Sequence, residues 1–228
     1  MDEHRHAKYG AATGIVFVIF LIVGFLIVFP QPPDTDASAP EWARYFTDHQ
    51  NAVRAALTII GVGTFFFLWF LGSLRSALAS AEGGTGRLAS IAYGAGLVAA
   101  AFFVVGLTAG LTAAYRPTEV DPSVTRMLAD LFGVVGAPAA GAFVAFFAAT
   151  ALAGFRYRAV PGWAAWISAV AAICQLGGFG VGDATTGAFA SDGALGFMLP
   201  VASFLIGVLA ISIALVRNPL PAAAQASQ

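Results

Sequence analysis

The side chains that could bind a charged or polar ligand lie near the ends of long apolar runs. Four of them are ionisable: Arg54, Arg126, Asp130 and Asp183. Arg126 and Asp130 are one helical turn apart, and charges near a membrane are costly unless they are paired or wetted. We therefore expect the four to face one another or a water-filled recess, as a candidate ligand site. The alternative is a set of structural ion pairs and interface anchors.

Aromatic side chains in the longest hydrophilic segment, residues 31–52, extend this candidate site. Apolar and aromatic residues recur there at positions i, i+3, i+4, i+7 and i+11: Trp42, Tyr45, Phe46, His49 and Val53. This spacing predicts an amphipathic helix over about residues 39–50, and Ser38 with Glu41 fits a capping box at its start. We expect the helix on the outer surface, its aromatic face against lipid headgroups or the bundle. Trp42, Tyr45 and His49 then join the candidate ligand contacts.

Residues for catalysis, redox chemistry or metal binding do not occur at the spacings that such chemistry needs. The single cysteine, Cys174, excludes an internal disulfide and every multi-cysteine metal motif. His4, His6 and His49 lie outside the apolar runs, so no bis-histidine haem site between spans is available. No ionisable residue lies mid-run, where a coupled transporter or intramembrane protease needs one, and Gln175 predicts an interhelical hydrogen bond. We expect no catalytic residue, no metal and no cofactor.

The composition indicates that lipid, and not water, surrounds most of the chain. Of 228 residues, 59% are hydrophobic and 10% are charged, whereas a soluble domain carries about 25% charged residues. The balance of 11 basic and 12 acidic residues excludes a broad basic face for nucleic acid. We therefore expect the lipid bilayer as the main partner of this chain.

Six apolar runs are long enough to cross that bilayer as helices. A hydrocarbon core of about 30 Å needs about 20 helical residues. The runs cover residues 9–30, 53–78, 88–114, 127–155, 163–183 and 194–216. They lack the period-two alternation of barrel strands. The sequence predicts an all-α polytopic membrane protein, a single membrane domain over residues 1–228, with a flexible C-terminal tail over residues 218–228.

The basic residues predict the orientation. Seven lie on one side of the predicted spans, namely Arg5, Lys8, Arg75, Arg87, Arg156, Arg158 and Arg217. The other side carries four: Arg44, Arg54, Arg116 and Arg126. Because basic residues concentrate in cytoplasmic segments, we expect both termini in the cytoplasm.

Small residues and one proline predict how the spans pack. Pairs four residues apart allow close helix contact, within the chain or in an oligomer: Gly10 and Gly14, Gly106 and Gly110, Ala137 and Gly141. Pro138 predicts a kink in the fourth span. The glycine-rich run LGGFGVGD, residues 176–183, permits tight packing or a locally broken helix, and we expect packing.

Two stretches carry a family likeness. FLWFLGSLRSALASAEGGTGRL (67–88) with AYGAG (92–96), and AVPGWAAWIS (159–168), resemble segments of small multi-span membrane proteins of actinobacteria, a family of unknown function. The resemblance implies six helical spans in a bacterial plasma membrane. It implies no catalytic residues that could be assigned here.

Three functions compete at this point. The first is a non-enzymatic membrane protein whose outward-facing recess binds a ligand or partner, such as a lipid or small hydrophobic molecule. The second is a permease or channel for a small or lipidic solute that uses the glycine-rich fifth span and Pro138 as moving parts. The third is a membrane enzyme acting on lipid, with His49 and Asp48 or Asp183 as acid–base groups.

Overall fold

The structure is a computed structural model that describes the backbone of residues 2–218 and the side chains of residues 8–218. These residues form helices and no strand: α1 (Asp2–Ile22), a π-helix (Val23–Val28), α2 (Ala39–Asp48), α3 (Gln50–Glu82), α4 (Arg87–Ala113), α5 (Pro122–Val134), α6 (Gly136–Tyr157), α7 (Gly162–Cys174), a 3₁₀-helix (Gln175–Gly182), a second π-helix (Ala194–Met198) and α8 (Leu199–Arg217). The predicted all-α class is confirmed. The tail predicted over residues 218–228 lies, from residue 219 onward, outside the described residues.

Six helical stretches are long and apolar enough to cross a membrane: Lys8–Val28, Gln50–Glu82, Arg87–Ala113, Pro122–Tyr157, Gly162–Gly182 and Ala194–Arg217. They correspond to the six runs predicted from the sequence. A helix satisfies its backbone hydrogen bonds within itself, which a hydrocarbon solvent requires. Their length and composition indicate a multi-pass membrane protein. The shorter helix α2 stands between the first and second stretch.

The long stretches pack as a closed ring in chain order. α1 packs against α3, α3 against α4, α4 against α6, α6 against α7, and α7 against α8, which returns to α1. The short turns 83–86 and 158–161 favour this arrangement, because they place the helices that they join side by side and antiparallel.

Phenylalanine rings fill the middle of this helix ring. The ring of Phe67 on α3 lies 4.7 Å from Phe17 on α1 and 6.3 Å from Phe146 on α6, centroid to centroid. Phe204 on α8 lies 5.8 Å from Phe67 and 6.0 Å from Phe147. Since α3 is not a ring neighbour of α8, the contact between Phe67 and Phe204 crosses the middle. The side chains therefore occupy the axis that a pore would use.

The fourth stretch is two helices joined at Val135. α5 ends at Val134 and α6 begins at Gly136, with Pro138 in its first turn. The ring of a proline meets the carbonyl four residues earlier, which for Pro138 belongs to Val134. The kink predicted from Pro138 corresponds to this break.

Three stretches leave the α form next to residues 29–38 or the loop 183–193. They do so at Val23–Val28, Gln175–Gly182 and Ala194–Met198. A Cβ atom on Gly177 would lie 2.1 Å from the carbonyl oxygen of Leu195, so only glycine allows this backbone approach. The two alternatives for the glycine-rich run therefore hold together: it packs tightly and it leaves the α form.

Two of the three predicted small-residue faces are used within the chain. A Cβ atom added at their four glycines would lie under 3.0 Å from a side chain of another part of the chain: Gly10 against Ser73, Gly14 against Phe70, Gly106 against Val135, and Gly110 against Leu57. In the third pair, Gly141 is exposed. An oligomer through small-residue faces stays a prediction.

The two ends of the ring carry different residues. We call one the cap end; it holds α2, residues 30–38, the segment 121–130 and the loop 183–193, which together form the cap. We call the other the basic end. It holds the turns 83–86 and 158–161 and the arginines 75, 87, 156, 158 and 217.

Candidate functional site

Helix α2 begins with a carboxylate that closes its first turn. Oε2 of Glu41 accepts hydrogen bonds from the N–H and the hydroxyl of Ser38, each at 2.7 Å. The bond from the hydroxyl first, and then the bond from the N–H, lower the pKa of the Glu41 carboxyl below its ordinary value. Pro40 in the first turn loses no hydrogen bond, because the first N–H groups of a helix have no partner within it. The capping box predicted from the sequence is thus what starts this helix.

The aromatic face of α2 packs into the bundle. Trp42, Tyr45 and Phe46 are buried, and the rings of Trp42 and Tyr45 meet edge to face at 5.8 Å. The hydroxyl of Tyr45 donates to the carbonyl oxygen of Pro30 at 2.9 Å. Burial raises the pKa of the Tyr45 phenol above its ordinary value. Of the two surroundings that the sequence left open for this face, lipid headgroups or the bundle, the structure has the bundle.

Arg126 is the centre of the candidate site. Its Nε donates to Oδ1 of Asp130 at 2.9 Å, one turn along α5. Its two terminal nitrogens donate to the backbone carbonyls of Ala37 and Thr35. Its guanidinium carbon lies 6.0 Å from the ring centroid of Trp42, within cation–π distance. One side chain thus joins α5, the segment before α2, and α2 itself.

The same network continues to the loop 183–193 through Thr35. The N–H of Thr35 donates to Oδ2 of Asp192 at 3.2 Å, and its hydroxyl donates to the carbonyl of Thr185 at 2.8 Å. The start of α5 is also capped, because Asp121 accepts from the N–H of Ser123 at 2.8 Å. Hydrogen bonds from the Ser123 hydroxyl and N–H lower the pKa of the Asp121 carboxyl. The cap is therefore one connected assembly.

The predicted charge cluster is brought together only in part. Arg126 and Asp130 form an ion pair, but the exposed Arg54 places its guanidinium over the ring of Tyr115, at 5.7 Å. Gln50 donates to the carbonyl of Tyr115 at 3.1 Å, so Arg54 belongs to this second contact between α3 and the end of α4. Asp183 is exposed where the 3₁₀-helix ends, and its N–H donates to Gly180.

His49 is the single residue between α2 and α3. Its ring lies 5.1 Å from that of Tyr45, and its Nδ1 is 3.1 Å from the carbonyl oxygen of Tyr45, so the tautomer with a proton on Nδ1 makes that bond. This contact is local to the end of α2. It holds the histidine at the helix junction, and among the described side chains no ion pair includes His49.

One buried donor in the site has no acceptor. The indole Nε1 of Trp42 makes no hydrogen bond, although the residue is only 8% exposed. Buried polar groups are nearly always paired, so an unpaired one calls for a partner such as a water or a ligand. Among the described side chains, the hydroxyl of Thr64 is the other such atom. Thr64 lies in the middle of α3, away from the cap.

Gln175 is satisfied inside the bundle. Its amide nitrogen donates to the carbonyl of Pro200 at 2.8 Å and to the hydroxyl of Ser203 at 3.1 Å, and the residue is 3% exposed. The predicted interhelical hydrogen bond is present, between the fifth and sixth stretches. Across the described residues, no group of three or more His, Cys, Asp or Glu side chains is placed to hold a metal ion.

No family model, curated protein or solved structure matches this chain. The resemblance to actinobacterial membrane proteins that residues 67–88, 92–96 and 159–168 suggested therefore stays a prediction. The function has to follow from the geometry of the cap.

Three residues of these two sets of contacts carry no signal in the sequence. Thr35 and Asp192 stand in polar loops without periodicity, and they are 157 residues apart. Tyr115 follows the third apolar run and resembles any interfacial aromatic residue. Only the folded ring brings these positions to their partners.

Proposed function

We propose that the chain is a non-enzymatic multi-pass protein of a bacterial plasma membrane, and that its cap binds a lipid or another small hydrophobic ligand. The basic end carries most of the arginines, which favours a cytoplasmic basic end and an outward-facing cap. The observation that carries the proposal is the buried, unpaired indole N–H of Trp42 beside the Arg126 guanidinium.

The electrostatics of this pair favour one kind of ligand atom. An unsatisfied buried donor costs about 1–3 kcal/mol, and a ligand oxygen that accepts the indole N–H would remove that cost. The adjacent guanidinium favours an oxygen with partial or full negative charge, such as that of an ester, carboxylate or phosphate. On another face of α5, the apolar side chains of Met127 and Leu131 are exposed and suit contact with a hydrocarbon chain. A lipid combines such an oxygen with a hydrocarbon chain.

The test is to identify what co-purifies with the protein. The full chain is purified in mild detergent, and bound lipids are extracted and quantified by mass spectrometry. We expect wild type to retain one lipidic species and Trp42→Phe, which keeps a ring but removes the N–H, to retain about tenfold less, the value of one buried hydrogen bond. Tyr45→Phe is the matched control, because it removes a hydroxyl bonded to the protein's own Pro30. It should retain the wild-type amount.

Two results would overturn the proposal. One is an equal amount of the species in wild type and Trp42→Phe, with both proteins folded. The other is the absence of any enriched species in wild type relative to the bulk lipid of the membrane.

A second candidate is a permease or channel, favoured by the 3₁₀-helix Gln175–Gly182, because such segments often mark hinges. Two observations weigh against it. Phenylalanine rings occupy the axis of the helix ring, and Gln175 bonds to the neighbouring stretch. Flux of small solutes into proteoliposomes separates the candidates. We expect none above the protein-free rate, and a flux above that rate would favour the permease.

A further inference from the structure

A cavity at the basic end is separate from the cap. It has a volume of about 440 Å³ and lies between the end of α6, the start of α7 and the end of α8. Binding pockets for small molecules span about 300–1,000 Å³, so it is large enough for a lipid headgroup. A Cβ atom on Gly162 would meet nothing within 4 Å, so the mouth is open where α7 begins.

The cavity has an apolar floor and a cationic rim. Val160 and Leu215 line it and are buried, while Arg158 and Asn218 line it and are exposed. The described part of the wall carries this one arginine and no carboxylate. Such a wall is complementary to a molecule with an anionic group and an adjoining apolar part.

The backbone of Arg158 is in a conformation that normally selects glycine. Its φ is +56°, and it is the single non-glycine residue with positive φ among those described. Its N–H donates to Gly154 and the N–H of Ala159 donates to Ala153, which ends α6. Helices usually use glycine at this position, because a Cβ atom there is strained. This strained backbone belongs to a residue that lines the cavity, and strain of this kind at a cavity residue points to a function of its side chain.

The surroundings place the cavity at the level of lipid headgroups. It lies where three of the membrane-crossing stretches end, at Tyr157, Gly162 and Arg217. Trp163 and Trp166 are exposed on the adjoining turn of α7, and Trp166 meets Phe155 edge to face at 5.0 Å. Exposed tryptophans are typical of the membrane–water interface.

We propose that this cavity binds the phosphate headgroup of an anionic phospholipid from the surrounding leaflet, with Arg158 as the phosphate contact. Basic pockets between membrane helices take such headgroups by charge complementarity. Val160 and Leu215 contact the glycerol and the first methylenes of the lipid. The site is independent of the ligand in the cap, since the two lie at opposite ends of the ring.

The experiment uses a substitution that removes the charge of Arg158 and relieves the strain of its positive φ. Arg158→Gly suits the positive φ, so its thermal unfolding should occur at the wild-type temperature or above. The full chain is placed in nanodiscs of phosphatidylcholine with a minor fraction of phosphatidylglycerol, and lipids retained on release are counted by native mass spectrometry. We expect wild type to retain phosphatidylglycerol selectively, and Arg158→Gly to bind it about tenfold more weakly, the value of one charged hydrogen bond. Arg158→Lys should lie in between.

The control removes an equal charge at the same end. Arg75→Ala takes away a guanidinium that lies over Tyr93, outside the cavity, and should bind phosphatidylglycerol like wild type. Equal losses in Arg75→Ala and Arg158→Gly would overturn the site, because attraction would then be general to the basic end. Unchanged retention in folded Arg158→Gly would also overturn it. Binding of millimolar inorganic phosphate at this site, with phosphatidylglycerol retained no better than phosphatidylcholine, would overturn the lipid as the occupant and assign a free anion instead.

Discussion

The cap end and the basic end hold their connecting segments by different means. At the cap end, Arg126 donates to the carbonyl of Thr35, 91 residues away, and Thr35 donates to Asp192, 157 residues away. At the basic end, the carboxylate of Glu82 accepts from the N–H of Leu88, only 6 residues away. The cap therefore depends on a few bonds between distant segments. Each turn of the basic end is held by its own residues.

The regularity of the helices also differs between the two ends. At the cap end three stretches pass into π or 3₁₀ form, and Gly177 touches the backbone of Leu195. At the basic end the helices stay α up to short turns, with positive φ at Gly83, Gly84 and Gly86. Damage to the cap should spread between its segments, whereas damage to a basic-end turn should stay local.

Removing Arg126 should break the cap most strongly. Arg126→Ala leaves Asp130 unpaired and removes the donors to the carbonyls of Thr35 and Ala37. Because hydrogen bonds to charged groups are worth about 1.5–3 kcal/mol each, we expect the free energy of unfolding to fall by about 3 kcal/mol. Denaturant unfolding in detergent measures the loss, and limited proteolysis should cut residues 31–38. Arg116→Ala is the control, because the Arg116–Glu119 pair is exposed and worth about 0–1 kcal/mol. Equal effects of the two variants would contradict a connected cap.

Adding a methyl group at Gly177 should cause the next largest loss of stability. Gly177→Ala places a Cβ atom against the Leu195 carbonyl, so backbone must move, at a cost of about 1–3 kcal/mol. Gly61→Ala is the matched control, since a Cβ atom there meets nothing within 4 Å and alanine favours a helix by about 1 kcal/mol. Thermal unfolding should fall for the first variant and hold or rise for the second. The same sign for both would show that the close contact is absent.

Replacing Glu82 tests whether the basic end responds locally. The two carboxylate oxygens of Glu82 accept from Leu88, and one also accepts from Ala89, which caps the start of α4. Glu82→Gln should cost about 1 kcal/mol, the usual value of a helix cap. Hydrogen exchange should speed up in residues 83–89 and stay unchanged in the cap. Faster exchange in residues 31–38 would remove the contrast between the ends.

The smallest effect is a pH dependence of the cap. The pKa of Glu41 is lowered by its hydrogen bonds from Ser38, so the folded state binds that proton less readily than the unfolded chain. The stabilisation is complete above the ordinary pKa of 4.5 and is lost as the pH falls through the lower folded value. Unfolding measured at successively lower pH should show a shallower decline in Glu41→Gln than in wild type. Parallel curves would exclude this contribution.

The spans and α2 were predictable because their causes are local. Hydrocarbon demands about 20 apolar helical residues, and the Ser38–Glu41 box with the aromatic spacing after it marks α2. The pairing of Arg126 with Asp130 also follows from a spacing of four residues. The sequence placed Arg54 in the same cluster, because it stands at the same predicted membrane boundary. A shared depth does not determine position around the ring, and Arg54 meets Tyr115 instead.

The remaining contacts of the site depend on the order of the helices around the bundle. The bonds of Thr35 to Asp192 and Thr185 require the first stretch to lie near the sixth, which follows from closure of the ring and not from any periodic pattern. The departure from α form at Gln175 is similar in kind. The glycines of residues 176–183 permit the change from α-helix to 3₁₀-helix, but the close approach of the Leu195 backbone determines that it occurs.

The most direct test of the account is the accessibility of the two ends in intact cells. In a Cys174→Ala background, single cysteines are introduced at Thr186, in the cap loop, and at Thr85, in the basic-end turn; both positions are exposed. A membrane-impermeant thiol reagent should label Thr186→Cys on intact cells and Thr85→Cys only after permeabilisation. Labelling of both from the outside, or of Thr85→Cys alone, would contradict a bundle that crosses the membrane with its cap outward.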